Sequence, residues 1–349
     1  MDPSAKTGVV SGWTVTPEDD GFHDDFEGSD HPWWTETFWT SFNVPERRMG
    51  GWFYNQVLKN QGPHGTNNGG AWVWDGSEAP VRYRRMRQGL PMPPGPRDLR
   101  DIALPNGNRI KQLIPNMKYQ MHYVDPGRFE ADLIFEGVIA PSPHPAGAAP
   151  FWRGRHFDQP MHVAGEIVVA GETIAIDCLS VRDRSWSARR PSGGKQSRSD
   201  RAPSVESHNA DERSDISRPL RKPYNLGYIF GTQSAKEAFL AYTVLIEGEE
   251  RRGDFLTAGY LVRDGVWAHL VKGERRCLVD TDHGWIWRIE FEGEDTLGRR
   301  VVAVGQQQSN CGIGIGLFRW TWNGAEGWGE NQGGVAPSYP RVRRGERER

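Results

Sequence analysis

Tryptophan residues that alternate with other residues constrain the fold of this chain more than any other feature. The chain has 15 Trp in 349 residues, and pairs lie two positions apart at 72–74, 285–287 and 320–322. A period of two places side chains on one face of a β-strand. Mean hydropathy is nevertheless −0.68, so the apolar faces are short and separated. The pattern predicts an all-β protein whose barrels or sandwiches enclose an aromatic-lined cavity.

Length, charge and cysteine content narrow the possible classes of protein. Single cores stop growing near ~250–300 residues, so two domains are expected. The formal net charge of −2 gives no basic field for nucleic acid. Three widely spaced cysteines, Cys178, Cys277 and Cys311, indicate a reducing compartment and not a disulfide framework. We expect a cytoplasmic protein, because no secretory signal or membrane-length apolar run is present.

Composition divides the chain into five segments. The segment from Ser187 to Pro219 has no Leu and no Phe, Trp or Tyr, so it buries too little apolar surface to order. Strand-like segments that recur every 8–12 residues lie on both sides of it. The predicted segments are an irregular lead-in (1–30), a first β domain (31–187), a disordered linker (188–222), a second β domain (223–338) and a frayed charged tail (339–349).

Turn residues and helix periodicity refine this prediction. Ala170-Gly171-Glu172 and Asp264-Gly265 indicate tight hairpin turns. Helical periodicity is scarce, and residues 234–240 are the one segment for which a short helix is expected. Phosphate-binding loops, nucleophile elbows and metal-ligand spacings are absent from the sequence, and ten histidines are scattered along it. We therefore expect neither a metal site nor a cofactor.

Asp183 is the leading candidate for acid/base chemistry. In an unbroken strand it shares a face with Leu179 and Val181. An apolar surrounding would raise the pKa of the carboxyl and let it exchange protons near neutral pH. Arg182 and Arg184 allow the alternative of a structural ion pair with a lowered pKa. The sequence leaves both possibilities open.

Further polar residues each have a functional and a structural interpretation. His156 and Gln159 either line a cavity mouth, as acid/base and hydrogen-bond donor, or satisfy backbone groups at a strand end. Glu330 is either a second catalytic carboxylate or a turn residue. Asn310, after three glutamines, either orients a polar ligand group or lies on a solvent-facing edge strand. The residues expected to contact substrate through their rings are Trp74, Trp186, Tyr224, Trp320 and Trp328.

Several motifs resemble those of the AttH and hydroxyneurosporene synthase (carotenoid hydratase) group. They are Gly-Trp-Phe-Tyr at 51–54, His-Phe-Asp-Gln-Pro at 156–160, Arg-Asp-Arg-Ser-Trp at 182–186 and Gly-Trp-Gly-Glu-Asn-Gln at 327–332. The resemblance implies two lipocalin-like (calycin) antiparallel β-barrels or sandwiches in tandem. It also implies hydratase, cyclase or isomerase activity on polyene or terpenoid substrates.

The resemblance assigns one role and contains one departure. In the hydratases an acidic residue is thought to protonate a double bond, and Asp183 occupies the matching position. The family segment often reads Asp-His-Ser-Trp-Gly, whereas here Arg184 replaces the His and Ser187 replaces the Gly. Any chemistry that depends on that His elsewhere is lost or altered in this chain.

Three function classes compete at this stage. The leading hypothesis is a cofactor-independent lyase, isomerase or cyclase that acts on a hydrophobic terpenoid, steroid or aromatic molecule. The alternative is a non-catalytic, lipocalin-like carrier of a hydrophobic metabolite, since the fold does not set the function. The third is a carbohydrate-active protein, which needs two carboxylates at ~5–10 Å. Asp183 and Glu330 could supply them only if both domains share one site. The oligomeric state is open.

Overall fold

The structure is a computed structural model that describes residues 13–77, 79–95, 98–144, 155–188, 226–247, 252–312 and 314–343. Tyr224 and nearly all of the predicted linker lie outside the described residues. Within these ranges, no helix has the length and apolar character needed to cross a membrane.

The first half of the described chain forms one antiparallel sheet. Its strands are β1 (Trp34–Val44), β2 (Met49–Leu58), β3 (Thr66–Trp74), β4 (Val81–Pro91), β5 (Asp101–Ala103), β6 (Asn108–Ile114), β7 (Lys118–Asp125), β8 (Phe129–Gly137), β9 (Ser142–Pro143), β10 (Arg155–Val169) and β11 (Glu172–Ala188). The order is β4-β3-β2-β1-β11-β10-β8-β7-β6-β5, and β9 pairs with β10. The sheet curls into a half-barrel and stays open between β4 and β5.

The second half of the described chain forms a closed barrel. Its strands are β12 (Leu226–Ser234), β13 (Glu237–Glu247), β14 (Arg252–Arg263), β15 (Val266–Asp280), β16 (Ile286–Asp295), β17 (Arg300–Asn310), β18 (Ile315–Trp322), β19 (Ala325–Gly333) and β20 (Arg341–Val342). Pairings β12–β19 and β14–β15 close eight strands into a ring, and β20 adds to β15 in parallel. The predicted all-β class with tandem lipocalin-like units is confirmed.

Both predicted hairpin turns are present. Ala170 and Gly171 link β10 to β11 with φ values of 54° and 80°, and Asp264 and Gly265 link β14 to β15 with 54° and 75°. Two successive positive φ angles define the tight turn that matches strand twist. The expected short helix at 234–240 is wrong. Those residues end β12, turn, and begin β13, because Phe239 packs inside the barrel at strand spacing.

Side-chain alternation creates three apolar layers. One lies on the inner face of the half-barrel and one inside the closed barrel. The third, here named the interdomain layer, joins the outer face of the half-barrel to the outside of the closed barrel. It contains Trp39, Trp52, Trp72, Trp74, Val181, Tyr228, Phe230, Leu240, Tyr242, Tyr260 and Val262. Of the tryptophan pairs in the sequence, Trp72 and Trp74 lie in this interdomain layer, whereas Trp320 and Trp322 pack inside the closed barrel.

Both ends of the described chain pack onto the sheets. The lead-in contains a 3-10 helix, Pro17–Asp20, and a second short 3-10 helix, Pro45–Arg47, follows β1. Asp20 is buried and contacts Arg182 on β11. At the other end, Tyr339 is buried and its hydroxyl donates to Asp254. The start of the predicted frayed tail is thus part of the fold, and residues 344–349 lie outside the described residues.

Candidate functional site

The two long strands β10 and β11 separate the ionisable residues of this region onto two faces. Asp158 lies opposite Asp183 in the ladder, and Gln159 lies opposite Arg182. Directly opposed residues share a face and neighbours along a strand alternate. Asp183 and Asp158 therefore face the interdomain layer, whereas Arg182 faces the inner side of the half-barrel.

Two histidines and two aspartates meet on the interdomain face. The Nε2 atom of His156 lies 2.7 Å from Oδ2 of Asp183 and 3.5 Å from Oδ2 of Asp158. His144, from the segment after β9, places its Nε2 against Oδ2 of Asp158. All four residues are buried. Buried ionisable groups persist when they pair with one another. In this group, here named the proton-sharing cluster, histidines are the basic partners of both carboxylates among the described residues.

Tyrosines of the closed barrel complete the cluster from the other domain. The hydroxyl of Tyr242 on β13 donates to Asp183 Oδ2 over 3.1 Å and lies 3.0 Å from His156 Nε2. The hydroxyl of Tyr228 on β12 donates to Asp158 Oδ1 over 3.2 Å. The proton-sharing cluster is therefore assembled only when both domains pack together.

Electrostatics set opposite protonation states within the cluster. Burial disfavours the charged imidazolium of His156, but the carboxylates of Asp183 and Asp158 outweigh it and raise its pKa to about 9. Burial also works against the ionised form of Asp158, but His156 and the bond from His144 lower its pKa to about 2. At neutral pH the cluster thus holds a buried imidazolium beside carboxylates.

The remaining members are neutral at neutral pH. Burial lowers the pKa of His144, although the nearby Asp158 partly opposes this. Burial, reinforced by the negative charges of Asp158 and Asp183, raises the pKa of Tyr228 and Tyr242 well above the ordinary value. The tyrosine hydroxyls therefore keep their protons and serve as hydrogen-bond donors.

An aromatic wall extends from the cluster across the half-barrel. Trp52 stacks on Tyr54 and on Trp72, with ring centroids 5.1 and 5.2 Å apart. Trp39 bridges Trp52 to Tyr228 at 5.9 and 5.3 Å. Tyr228 in turn lies 4.5 Å from the ring of Tyr242, which contacts the cluster. Stacked π faces of this kind suit a flat or cationic organic group.

The inner face resolves the alternatives left open for Asp183. Arg182 Nη1 donates to Asp20 over 2.7 Å, and Arg184 Nη2 pairs with the buried carboxylate of Glu36 at 2.5 Å. Both guanidiniums thus have carboxylate partners on the side of β11 away from Asp183. The contacts of Asp183 are His156 and Tyr242, so the structural arginine pair considered from sequence does not form.

The predicted substrate residues on the inner face are structural. Gln159 donates to the carbonyls of Asn116 and Ile139 and accepts from Arg182 Nε at 2.7 Å. Gln159 therefore holds these two backbone carbonyls and the Arg182 side chain in place, in agreement with the structural interpretation of this residue. Trp186 is fully buried and stacks on His23 with centroids 3.6 Å apart. Its even position points away from the cluster, so Trp186 does not face the proton-sharing cluster, and its contact with substrate stays a prediction.

The predicted substrate residues of the second domain are dispersed. Trp320 packs against Phe239 inside the closed barrel, away from the proton-sharing cluster, and its contact with substrate stays a prediction. Asn310 accepts from the backbone N–H of Gly312 in a turn. Trp328 is half-buried on β19, two positions before Glu330. Trp74 is fully buried in the interdomain layer, beside the aromatic wall.

Glu330 lies in the contact between the two domains. It is buried, and Gln332 donates to its Oε2 at 3.0 Å. Burial raises its pKa to about 7, opposed by hydrogen bonds from Gln332 and from Ser41 of the half-barrel. Glu330 is therefore a carboxyl near half-protonation at neutral pH, and it belongs to the domain interface and not to a turn.

Sequence reasoning missed four members of the cluster: His144, Asp158, Tyr228 and Tyr242. Asp158 lies within the quoted motif at 156–160, and its alternation with His156 was the available signal. Tyr228 and Tyr242 alternate with Phe230 and Leu240 on their strands, which indicates a shared apolar face only. His144 was not recognised because its position depends on the pairing of β9 with β10, which the bond from its backbone N–H to the His156 carbonyl extends.

The cluster also meets the geometric condition for a metal site. Donor atoms of His144, His156 and Asp158 lie within 4.8 Å of one another. Tetrahedral ligands at about 2.0–2.1 Å from zinc lie roughly 3.3 Å apart. Within this set, His156 Nε2 and Asp158 Oδ2 lie 3.5 Å apart, but His144 Nε2 and Asp158 Oδ2 are at the distance of a charge-assisted hydrogen bond. The described geometry therefore fits shared protons better than a metal ion.

Three solved structures share this fold. They are an AttH protein from Nitrosomonas europaea (TM-score 0.58, 13% identity, 93% of this chain and 98% of that one), kievitone hydratase from Nectria haematococca (0.51, 10%, 95% and 98%) and CghA with Sch210972 (0.51, 12%, 86% and 88%). No curated protein matches the sequence.

A family model described as a domain of unknown function (DUF7064) matches residues 16–199, more than half of the chain. The match spans the lead-in, the half-barrel and both strands of the proton-sharing cluster. This chain therefore belongs to the DUF7064 family, and it has the tandem lipocalin-like fold of the AttH and hydratase structures.

Proposed function

We propose that the protein is a lyase or isomerase that acts by acid/base chemistry on a hydrophobic molecule held between its two domains. The observation that carries this proposal is the buried contact among His156, Asp183 and Tyr242. It joins a protonated imidazole, a carboxylate and a neutral phenol at one end of an aromatic wall. Buried, perturbed ionisable groups from two domains are more typical of a reaction site than of a packing interface.

The geometry supports a hydration or its reverse. The His156 imidazolium gives its proton to a carbon–carbon double bond or a carbonyl oxygen, with the Tyr242 hydroxyl as a relay. The positive charge that develops on carbon faces the aromatic wall. Water then adds to the cation and loses a proton to Asp183 or to neutral His156, which restores the site. Loss of a different proton from the same cation gives double-bond isomerisation instead, and attack by an internal double bond gives cyclisation.

The substrate class follows from the surface that contacts it. The rings of Tyr54, Trp52, Trp72 and Trp39 form a broad apolar face with few charges beyond the cluster. A terpenoid, steroid or aromatic compound suits this face. One structural neighbour is by name a hydratase, which accords with the proposal, while its 10% identity transfers only the fold.

Native mass spectrometry of the protein from its own source tests this proposal. Bound compounds are extracted, identified and incubated with fresh protein, together with plausible precursors. A compound that gains or loses about 18 mass units, or isomerises at constant mass, supports the enzyme. A bound hydrophobic compound that returns unchanged, with no precursor converted, supports the carrier and contradicts the proposed activity.

A further inference from the structure

A narrow cavity lies on the inner face of the half-barrel, on the other side of β11 from the proton-sharing cluster. It has about 570 Å³ of empty space, its open mouth included. Asp183 and Trp39 also border it. Because alternation directs their side chains to the interdomain face, only their backbone atoms line the cavity. The apolar residues lining it are Phe38, Leu99, Ile110, Met121 and Phe135.

The polar part of the cavity wall is rich in unpaired donors. Arg182 Nη2, Arg184 Nε and Asn55 Nδ2 are buried and have no acceptor among the described residues. All three residues line the cavity. Arg182 is only 6% exposed, and its other donors are held by Asp20 and Gln159. Buried donors without acceptors cost free energy unless something in the cavity accepts from them.

The orientation of the Asn55 amide is fixed by its neighbours. Asn106 accepts from the backbone N–H of Asn108, so the Asn106 amide nitrogen points at Asn55 and donates over 2.9 Å. The Asn108 amide donates to the same Asn55 Oδ1 over 2.7 Å. Asn55 must therefore present oxygen to its asparagine neighbours, and its Nδ2 donor is the atom left over.

The charges on this wall are already balanced. Asp20 neutralises Arg182, Glu36 neutralises Arg184, and Arg100, which also lines the cavity, pairs with Asp98. Asp20 is also occupied as an acceptor by Gln112 and by the Tyr119 hydroxyl. The cavity thus offers N–H donors without net positive charge, which favours a neutral oxygen acceptor over a carboxylate.

We propose that this cavity is a second ligand site, distinct from the interdomain cluster, for a small apolar molecule that carries a carbonyl oxygen. The carbonyl accepts from Arg182 Nη2, and the hydrocarbon part lies among the apolar lining residues. No bond is made or broken there, because the buried carboxylates Asp20 and Glu36 are held in ion pairs with Arg182 and Arg184. The site lies beyond the function proposed for the interdomain face.

Three matched probes test the ligand class: acetophenone, ethylbenzene and benzoate. The first two have the same carbon skeleton and differ by one carbonyl oxygen. Binding to the full chain is measured by calorimetry or ligand-observed NMR. We expect acetophenone to bind at least about tenfold more tightly than ethylbenzene and than benzoate, since a site built around buried donors rejects ligands without acceptors. Equal affinities, or a preference for benzoate, overturn the proposal.

Methionine methyl groups report where the probe binds without altering the protein. Met121 lines the cavity, and Met86 packs in the interdomain layer. With methyl-labelled methionine, acetophenone should shift the Met121 resonance and leave Met86 unchanged. A shift at Met86 alone places the ligand in the interdomain site and overturns the second site while leaving the proposed function intact. A shift at neither methyl means that water alone fills the cavity.

Two variants test separately whether the carbonyl is recognised and whether the ligand occupies the cavity. Arg182→Lys keeps the charge beside Asp20 but removes the planar fork that carries Nη2, so the preference for acetophenone over ethylbenzene should fall to about twofold or less. Leu99→Trp fills the cavity and should remove binding of both probes. If Arg182→Lys does not fold, Leu99→Trp with the Met121 readout still decides, because unchanged binding in a filled cavity contradicts the site.

Discussion

The two faces of strand β11 both carry buried ion pairs, but the pairs differ in their chemistry. On the inner face, Arg182 and Arg184 pair with Asp20 and Glu36. On the interdomain face, Asp183 pairs with a histidine. Arginine stays charged throughout the accessible pH range, so the inner pairs hold fixed charges. On the interdomain face the carboxylates of Asp183 and Asp158 raise the pKa of His156 to about 9, against burial, so this imidazole can release and regain a proton.

This difference teaches that burial alone does not identify a reaction site. Both sets of residues are almost completely buried, and both include short ion pairs. What distinguishes them is the cation of the ion pair. On the inner face it is an arginine guanidinium, with His23 and the Tyr119 hydroxyl as further partners of the carboxylates. On the interdomain face it is the imidazolium of His156. The inner pairs come from a single domain and its lead-in, whereas the cluster needs Tyr228 and Tyr242 from the second domain. A site that exists only between domains is also one that domain motion can open.

The Asp183→Asn variant tests the interdomain face and has the largest expected effect. Asparagine keeps the shape and the contact with Tyr242 but removes the charge beside His156. We expect kcat on the true substrate to fall by about 10²–10⁴, the usual contribution of a positioned acid or base. Steady-state kinetics measure this, and circular dichroism checks folding.

A matched control for this variant lies on the same strand. Asp177 also pairs with a histidine, His162, at 2.7 Å, but its side chain is 84% exposed. Asp177→Asn should leave kcat within about twofold of the wild-type value. Wild-type turnover in a folded Asp183→Asn protein contradicts the role of Asp183.

The Arg184→Met variant removes one of the two ion pairs of the inner face. It leaves the carboxylate of Glu36 buried without its guanidinium, a loss that costs about 3–5 kcal/mol for buried pairs. Urea denaturation measures the free energy of unfolding. The control is Arg47→Met, whose pair with Glu172 is exposed and whose loss should cost only about 0–1 kcal/mol. A change below about 1 kcal/mol for Arg184→Met would show that the inner pairs contribute little to stability.

Much of the fold could be predicted from local signals. Alternating tryptophans and hairpin turns such as Asp264-Gly265 act within a few residues, so they indicate strands and turns without knowledge of their partners. The predicted helix at 234–240 failed because barrel packing of Phe239 overrides weak helical propensity. The closure between β14 and β15 is a hairpin contact, but the ring also needs the long-range pairing of β12 with β19.

The candidate site could be predicted only in part. Asp183 and His156 stood out because polar residues in apolar strand patterns are visible in sequence. Their faces followed from alternation, yet their partners did not, since Tyr242 lies 59 residues from Asp183 in sequence. Trp186 and Trp320 were assigned to the site on residue type alone, and type does not reveal which apolar cluster a ring enters. Trp186 packs with Phe157, whereas Trp320 lies inside the closed barrel.

The pH dependence of stability sharpens the comparison, because His156 of the proton-sharing cluster has a raised pKa that the experiment can reach, whereas Arg182 and Arg184 stay charged. Asp183 and Asp158 raise the pKa of His156 to about 9, against burial and the neighbouring His144, while the Tyr242 hydroxyl also faces it. A raised folded-state pKa gives stability that is complete below the unfolded value near 6.5 and is lost as pH rises through 9. The loss is on the order of 3 kcal/mol, at about 1.4 kcal/mol per pKa unit.

Urea denaturation at about pH 6 and about pH 10 measures this loss. The His156→Gln variant should remove most of the slope between these two conditions. His162→Gln, which breaks the exposed pair with Asp177, should leave the slope almost unchanged. Equal slopes in the wild-type protein and His156→Gln mean that the carboxylates do not hold a proton on His156.

Glu330 provides the smallest and most discriminating test, since it is a carboxyl on the interdomain face without a basic partner among its described contacts. Burial raises its pKa from 4.5 to about 7. The unfolded chain therefore ionises first, and the folded protein loses stability as pH rises from about 4.5 to 7, by up to roughly 3 kcal/mol. Glu330→Gln should be about 2–3 kcal/mol more stable than wild type at about pH 8 and similar to it at about pH 5.

Glu326→Gln is the control for this gain, because Glu326 lies on the same strand, is exposed and pairs with Arg319. It should change stability by less than about 1 kcal/mol at either pH. Measured turnover of Glu330→Gln then shows whether the buried carboxyl of Glu330 takes part in the reaction. A stabilised Glu330→Gln protein with wild-type turnover means that the carboxyl lowers the stability of the interface and has no part in the reaction. A stabilised protein with reduced turnover means that stability is given up for chemistry, which makes Glu330 a third proton-exchanging group alongside Asp183 and His156.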